Sequence, residues 1–441
     1  MSSPAYRRAL SAMCGVLVVP VLIGTGCGPT VEEPPKTPDI VVVLIDTLRP
    51  DRLGLDDDLT ANAPFLKRLA RDSVVFRNAH STSTWTAPAT ASLFTSLYPP
   101  QHGVVTGFNA HSQQIKKSGA AQIEINRLPR ELETLPEVLR DNGYQTFGIA
   151  TNINIGHEIG FDRGFDHFER LHDMSRASVD ADGVHRELCQ WKNQILEASP
   201  TFVYLHFNDV HRPYHRREPW YPLNGSALAA YDSEISYLDR TLESLFAEFG
   251  WDEDAIVVLV SDHGEEFGEH GGIGHGPTLY GELLNILMFI KAPDLEPASV
   301  DTNVSIIDLM PTILELANLD PVPGRQGVSL VPLLTGSARR ESDLAQRALF
   351  AHRGSGPGQD LWAVLHQGRK LIQQGDTFQL FDTIHDPLDQ QNVVLTELEA
   401  AKNLKAILDE YRQNSFMRGE STQIELDADE IEVLRSLGYV N

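Results

Sequence analysis

Apolar and polar positions along the chain follow two alternating periods. Ile40–Ile45 is an unbroken β-branched and aliphatic run, the pattern of a parallel strand buried on both faces. Residues 144–151, 201–206 and 255–260 repeat that pattern. Between these runs the period becomes helical: Tyr231, Ile235, Leu238, Leu242, Leu245, Phe246 and Phe249 share one face, which reads as core packing. Residues 64–70 open with proline at a first helical turn. Thr134-Leu135-Pro136-Glu137 is a capping box whose helix Gly143 stops. Alternating strand and helix predict an α/β fold, a mainly parallel central sheet flanked by helices.

After Pro311 the pattern predicts a helix over 312–318, and from Ala348 it shortens to strands at 349–352, 361–366, 370–373 and 379–381. These predict a smaller C-terminal α+β subdomain, mostly antiparallel, ending in a helix capped by Asp427 with Glu430 three residues on. At the other end Arg7 and Arg8 precede an apolar run over 13–23, which reads as a secretory signal too short for a comfortable membrane span. The expected organisation is a signal peptide over 1–26, a flexible Pro-, Glu- and Thr-rich tether over 27–38, a main domain over 39–345 and the subdomain over 346–441.

Composition changes this picture in two ways. The net charge of −25 argues against a nucleic-acid partner, because a phosphate backbone requires a basic footprint. Of three cysteines, Cys14 lies in the signal and Cys27 at its end, so Cys189 has no partner and a disulfide framework is excluded.

Candidate chemistry gathers where strands end, the place where open α/β sheets bind ligands. Asp46-Thr47 follows the first strand, and Asn208-Asp209-Val210-His211 follows the third. Ser261-Asp262-His263-Gly264-Glu265-Glu266 follows the fourth, where Asp262 and His263 reach one cation if the backbone turns sharply at Gly264. His270, in Gly268-Glu269-His270-Gly271, and His275, in a glycine-rich loop, lie just beyond. Carboxylate with imidazole suits a divalent ion such as zinc, manganese or magnesium. In the stretch from Thr84 to Gly103, small hydroxyl residues gather around Pro88 and an apolar helical segment follows, with Thr86 at its mouth. A helix N-terminus suits an anionic ester or an alkoxide. His102 and His157 read as structural, and Trp85 as packing beside the Thr86 turn.

With these residues the chain from Pro38 to Asn441 resembles a sulfatase-type member of the alkaline phosphatase superfamily. Residues 38–51 resemble the opening strand with its metal-binding aspartate, and Ser261-Asp262-His263-Gly264 the second metal motif. Asp209-Val210-His211-Arg212-Pro213-Tyr214 is similar to the segment that supplies an ester-binding histidine. Residues 306–312, Leu380-Phe381-Asp382 with Asp386-Pro387, and 434–440 resemble non-catalytic landmarks. The resemblance implies a metal-dependent ester hydrolase with one or two divalent ions (Zn, Mn, Mg or Ca). Asp46, Thr86, Asp262 and His263 would be the metal set, with His211 and His275 on the ester's oxygens. Asp209 with His211 and His275 would be an alternative second metal site, and Thr47 would orient the metal shell.

The departures matter as much. Sulfatases carry Cys or Ser in a Cys/Ser-x-Pro-x-Arg pattern and oxidise it to formylglycine; this chain has Thr86-Ala87-Pro88-Ala89-Thr90. Thr86 is not the residue that conversion uses, and Thr90 replaces the arginine, so formylglycine is not expected. Threonine is the nucleophile in phosphoester branches of the superfamily, which favours phosphate over sulfate esters. Two other readings remain open: a phosphotransferase on membrane lipid or envelope glycan headgroups, and an inactive surface binding protein. Gly24-Thr25-Gly26-Cys27 resembles a bacterial lipoprotein cleavage site, with Gly24 where leucine is usual. It implies lipidation of Cys27 and a membrane-anchored envelope protein, against a secreted or periplasmic one.

Overall fold

A computed structural model describes residues 37–55, 61–105, 126–171, 179–336, 338–354 and 360–415. The leader, Cys27, most of the tether, and the cap at Asp427 and Glu430 lie outside them. The described strands are β1 (Ile40–Ile45), β2 (Val74–Phe76), β3 (Ala79–His80), β4 (Gln145–Ala150), β5 (His167–Arg170), β6 (Thr201–Phe207), β7 (Ile256–Ser261), β8 (Asn285–Ile286), β9 (Met288–Lys291), β10 (Ala298–Val300), β11 (Val304–Ser305), β12 (Leu349–Arg353), β13 (Leu361–His366), β14 (Arg369–Gln374) and β15 (Thr377–Asp382).

The main sheet has the order β10-β2-β9-β7-β1-β6-β4-β5. β1 lies at its centre, parallel to β6 and β7. Its continuous apolar sequence follows from position: Ile40, Val42 and Leu44 enter one core while Val41, Val43 and Ile45 enter the other. On the first face pack the helices Thr86–Thr95, Leu135–Asp141 and Leu309–Leu316. On the second pack Pro64–Arg71, Ala181–Gln190 and Ala227–Phe249. At about 1.5–3 kcal/mol per fully buried aliphatic side chain, these two faces hold the sheet ends in place.

The four long strand expectations agree with β1, β4, β6 and β7 to within a residue at each end. The sheet is nevertheless mixed, because β9 runs antiparallel to both β7 and β2. A small sheet β11-β3-β8 had no sequence signal, its strands being two residues each. The helix expected at 312–318 instead runs Leu309–Leu316, since Pro311 falls in a first turn where no intrahelical N–H is needed.

The C-terminal strands form the antiparallel sheet β12-β13-β14-β15, as expected. One face packs Val364, Leu371 and Leu380 on Leu404 and Leu408 of the helix Leu398–Asn414, which the sequence reading did not find. The other face packs Ala363, Ile372 and Phe381 against Leu279 and Leu284, just beyond the His275 loop.

Candidate active site

Register builds the site. Ile45 pairs with Phe207 on one side and with Ser261 on the other, so the next residues, Asp46, Asn208 and Asp262, leave the sheet in one row. β4 pairs with β6 so that Ile149 faces Leu205, which brings Asn152 to the same edge. Asn152 donates from Nδ2 to Asp46 Oδ2 at 2.8 Å and to Asn208 Oδ1 at 3.1 Å.

Thr47 adopts a left-handed backbone with φ of 60°, unusual for a β-branched residue. That turn sends its N–H to Asp262 Oδ1 at 3.1 Å. Tyr231 holds the turn, donating to Thr47 O at 2.7 Å and accepting from Arg49 N at 2.9 Å. Gly264 has a different role from the one expected. Its φ is not positive; a Cβ there would lie 2.0 Å from Glu282 O, so glycine is required by close approach.

Thr86 is the first residue of the helix Thr86–Thr95, as its sequence predicts. Its Oγ1 lies 3.4 Å from Asp46 Oδ2 and 3.5 Å from His263 Nε2. Asp46, Asp262 and His263 are fully buried and each offers a ligand atom within 4.8 Å of the others. His263 Nδ1 lies 3.0 Å from Gly264 O, which makes it the protonated nitrogen and leaves an Nε2 lone pair. That lone pair stands 3.7 Å from Asp46 Oδ1 and 3.4 Å from Asp262 Oδ2, two buried oxygens with no hydrogen-bond partner. Three facing electron-rich atoms repel one another until a cation stands among them, so this donor set fits a divalent metal. Burial pushes the Asp262 carboxyl up to about 7 and the His263 imidazole down to about 4.

A line of imidazoles leads outward. His275 lies 4.5 Å from His263 and 4.9 Å from the half-buried His211, ring centre to ring centre. His275 Nδ1 meets the buried Glu265 Oε1 at 2.9 Å, and burial, then the charge of His211, lowers His275 to about 3. Arg212 adds a cation at this rim. Trp85 packs edge-on to His275 and against Gly276.

The other candidates fall elsewhere. Asp209 Oδ1 accepts from Ala181 N at 2.9 Å and faces Arg217, at the first turn of the helix Ala181–Gln190, and among the described residues Asp209, His211 and His275 do not meet within ligand distance of one another. His270 is held between Glu282 Oε1 at 2.7 Å and Asp389 O at 3.0 Å, away from the Asp46 group. Thr90 is fully buried one turn after Thr86. His102 bonds Ser92 Oγ and Val104 N, as expected of a structural residue, whereas His157 is 64% exposed beside Glu158.

Sequence reasoning missed Asn152, Glu265 and His206. His206 is fully buried in β6 with Nε2 3.7 Å from Asp46 Oδ2, and burial lowers it to about 4. A histidine within an otherwise apolar run was the available signal, since a buried ring nitrogen requires a partner.

The sequence matches the Sulfatase family model over residues 38–319. It is 24% identical over 398 residues to the N-acetylgalactosamine-6-sulfatase of Canis lupus familiaris, across 78% of this chain and 74% of that one. A 2-O GAG sulfatase has a similar fold, with TM-score 0.69 and 17% identity over 86% of this chain and 93% of its own. So does the phosphonate monoester hydrolase of Agrobacterium radiobacter, with TM-score 0.68 and 17% identity over 88% and 100%.

Proposed function

The chain belongs to the sulfatase family and is an ester hydrolase of that family, and from this we propose that it prefers phosphate esters and uses unmodified Thr86 as nucleophile. We also propose that Asp46, Asp262, His263 and Thr86 hold a divalent cation. The observation that carries the proposal is the Thr86 hydroxyl, 3.4 Å from Asp46 Oδ2 beside two buried, unpartnered carboxylate oxygens.

Chemistry favours phosphorus over sulfur. A formylglycine hydrate expels sulfate through its second hydroxyl, and a threonine ester has no such hydroxyl. Water must therefore attack the central atom, a route that phosphoryl transfer uses. The same fold carries a phosphonate monoester hydrolase as well as a 2-O GAG sulfatase, so the preference rests on the threonine chemistry.

A cation, when bound, supplies positive charge that offsets the carboxylates and lowers the pKa of a neighbouring alcohol. The chain's own groups do the rest. Asn152 fixes Asp46 through Oδ2 and leaves Oδ1 turned to His263. Gly264 O fixes the His263 tautomer. Thr86 gives up its hydroxyl proton to solvent, and Oγ1 bonds to phosphorus as the alcohol oxygen departs with the bonding pair, the N–H groups of its helix facing the anion. His275, its Nδ1 turned to Glu265, and His211 line the ester's oxygens, and the leaving alcohol takes its proton from solvent. Water cleaves the Thr86 ester at phosphorus and restores the hydroxyl.

The test is hydrolysis of matched aryl phosphate, phosphodiester and sulfate esters before and after chelation, with Thr86→Ala as control. Metal-dependent phosphoester turnover lost in Thr86→Ala is the expected result; Thr86-dependent turnover of sulfate alone contradicts the preference. We propose further that Cys27 is lipidated and tethers the enzyme in the bacterial envelope. Palmitate labelling lost in Cys27→Ala is the expected result, and labelling retained by that variant contradicts it.

A further inference from the structure

The helices Ala181–Gln190 and Ala227–Phe249 pack together and gather three further ligand types outside the Asp46 group. His185 and Cys189 are four residues apart, hence on one helix face. Glu248 comes from the facing helix, and one ligand atom from each of the three lies within 4.8 Å of the others. His185 Nε2 is 2.7 Å from Glu248 Oε2, while Lys192 Nζ holds Glu248 Oε1 at 2.9 Å. The Cys189 sulfur lies within that same 4.8 Å, so an imidazole, a thiol and a carboxylate face one point, an arrangement in which a single cation can stand in place of their protons.

We infer that His185, Cys189 and Glu248 form a binding site for one zinc-class divalent cation, separate from the proposed catalytic centre. Thiolate with imidazole selects zinc over magnesium or calcium, which the oxygen-rich Asp46 group accommodates. On binding, Cys189 loses its thiol proton to solvent and the His185 proton moves from Nε2 to Nδ1, so one proton is released. Lys192 stays on Oε1, orients the carboxylate and leaves Oε2 for the ion. The side chains of His185 and Glu248 are 21% and 31% exposed, so solvent reaches the site and supplies the fourth ligand. The ion would cross-brace the two helices and shield Cys189, the one free cysteine among the described residues.

Cobalt tests this directly, because only a thiolate ligand gives an intense near-ultraviolet charge-transfer band. The full chain, stripped with chelator and held in excess magnesium, is titrated with Co²⁺. The band is expected to saturate at one equivalent, to vanish in Cys189→Ser, and to need at least about tenfold more cobalt in His185→Ala. Zinc is also expected to slow reaction of Cys189 with a thiol reagent at least about tenfold, and His185→Ala to remove that protection. Thermal unfolding midpoints establish that the variants fold. No thiolate band in the wild type, a band that survives Cys189→Ser, or zinc protection unchanged in His185→Ala would each overturn the inference.

Discussion

Asn152 and Thr86 make different demands on their side chains, and substitution separates them. Thr86→Ala removes the attacking oxygen, and turnover is expected to fall at least about a thousandfold, while Thr86→Ser keeps a hydroxyl at the helix mouth and retains measurable activity. Asn152→Ala leaves the nucleophile but frees Asp46 Oδ2 from its 2.8 Å bond. Apparent metal affinity is expected to drop about 10–100-fold, with activity partly restored by added metal, as titration of the stripped protein would show. If Asn152→Ala binds metal as tightly as the wild type, the bond does not position Asp46.

At the level of elements, the row of Asp46, Asn208 and Asp262 depends on an uninterrupted parallel register across β6, β1 and β7. Gly264→Ala tests the adjoining turn: its Cβ would meet Glu282 O at 2.0 Å, so backbone must shift. Loss of about 1–3 kcal/mol in urea unfolding is expected, together with weaker metal binding because His263 precedes the shifted residue. This turn also marks what the sequence disclosed. Asp46 and Asp262 were legible because each immediately follows a strand with a strong apolar signature, His263 because it adjoins Asp262, and Thr86 because proline and small residues announce a helix start. Asn152, Glu265 and His206 were not, since their relevance depends on which strands are neighbours and which face a side chain takes. Asp209 shows the same dependence: its strand-end position resembles that of Asp46, yet its Oδ1 turns to the first turn of the helix Ala181–Gln190. The short strands β3, β8 and β11 are too brief to carry a period. In Leu398–Asn414 only Leu404 and Leu408 are buried, so its apolar stripe is thin despite good helix formers.

Across the whole molecule, the C-terminal sheet is tied to the loops after β7 by polar groups as well as by its apolar face. Lys370, fully buried on β14, donates to Leu279 O at 3.3 Å and pairs with Asp389, and Lys370→Met is expected to cost about 3–5 kcal/mol by leaving that carboxylate unpaired. His270 links the loop after His263 to Asp389 O and is stacked on Tyr280. Burial alone would lower its pKa, but Asp389 O and the Glu282 carboxylate overcome this and raise it above the ordinary 6.5. The bond therefore stabilises fully below pH 6.5 and fades as pH rises through the raised value. His270→Gln is expected to flatten that alkaline loss in urea midpoints measured below and above pH 6.5; an unchanged slope would assign it to other groups. All of these supports converge on one hydroxyl. Its role is read most directly by quenching the enzyme in acid during turnover of an aryl phosphate and mapping the peptides by mass. A phosphoryl group on a threonine at position 86, with no formylglycine there, is the predicted result. A formylglycine-bearing chain, or phosphoryl on another residue with turnover surviving in Thr86→Ala, would contradict it.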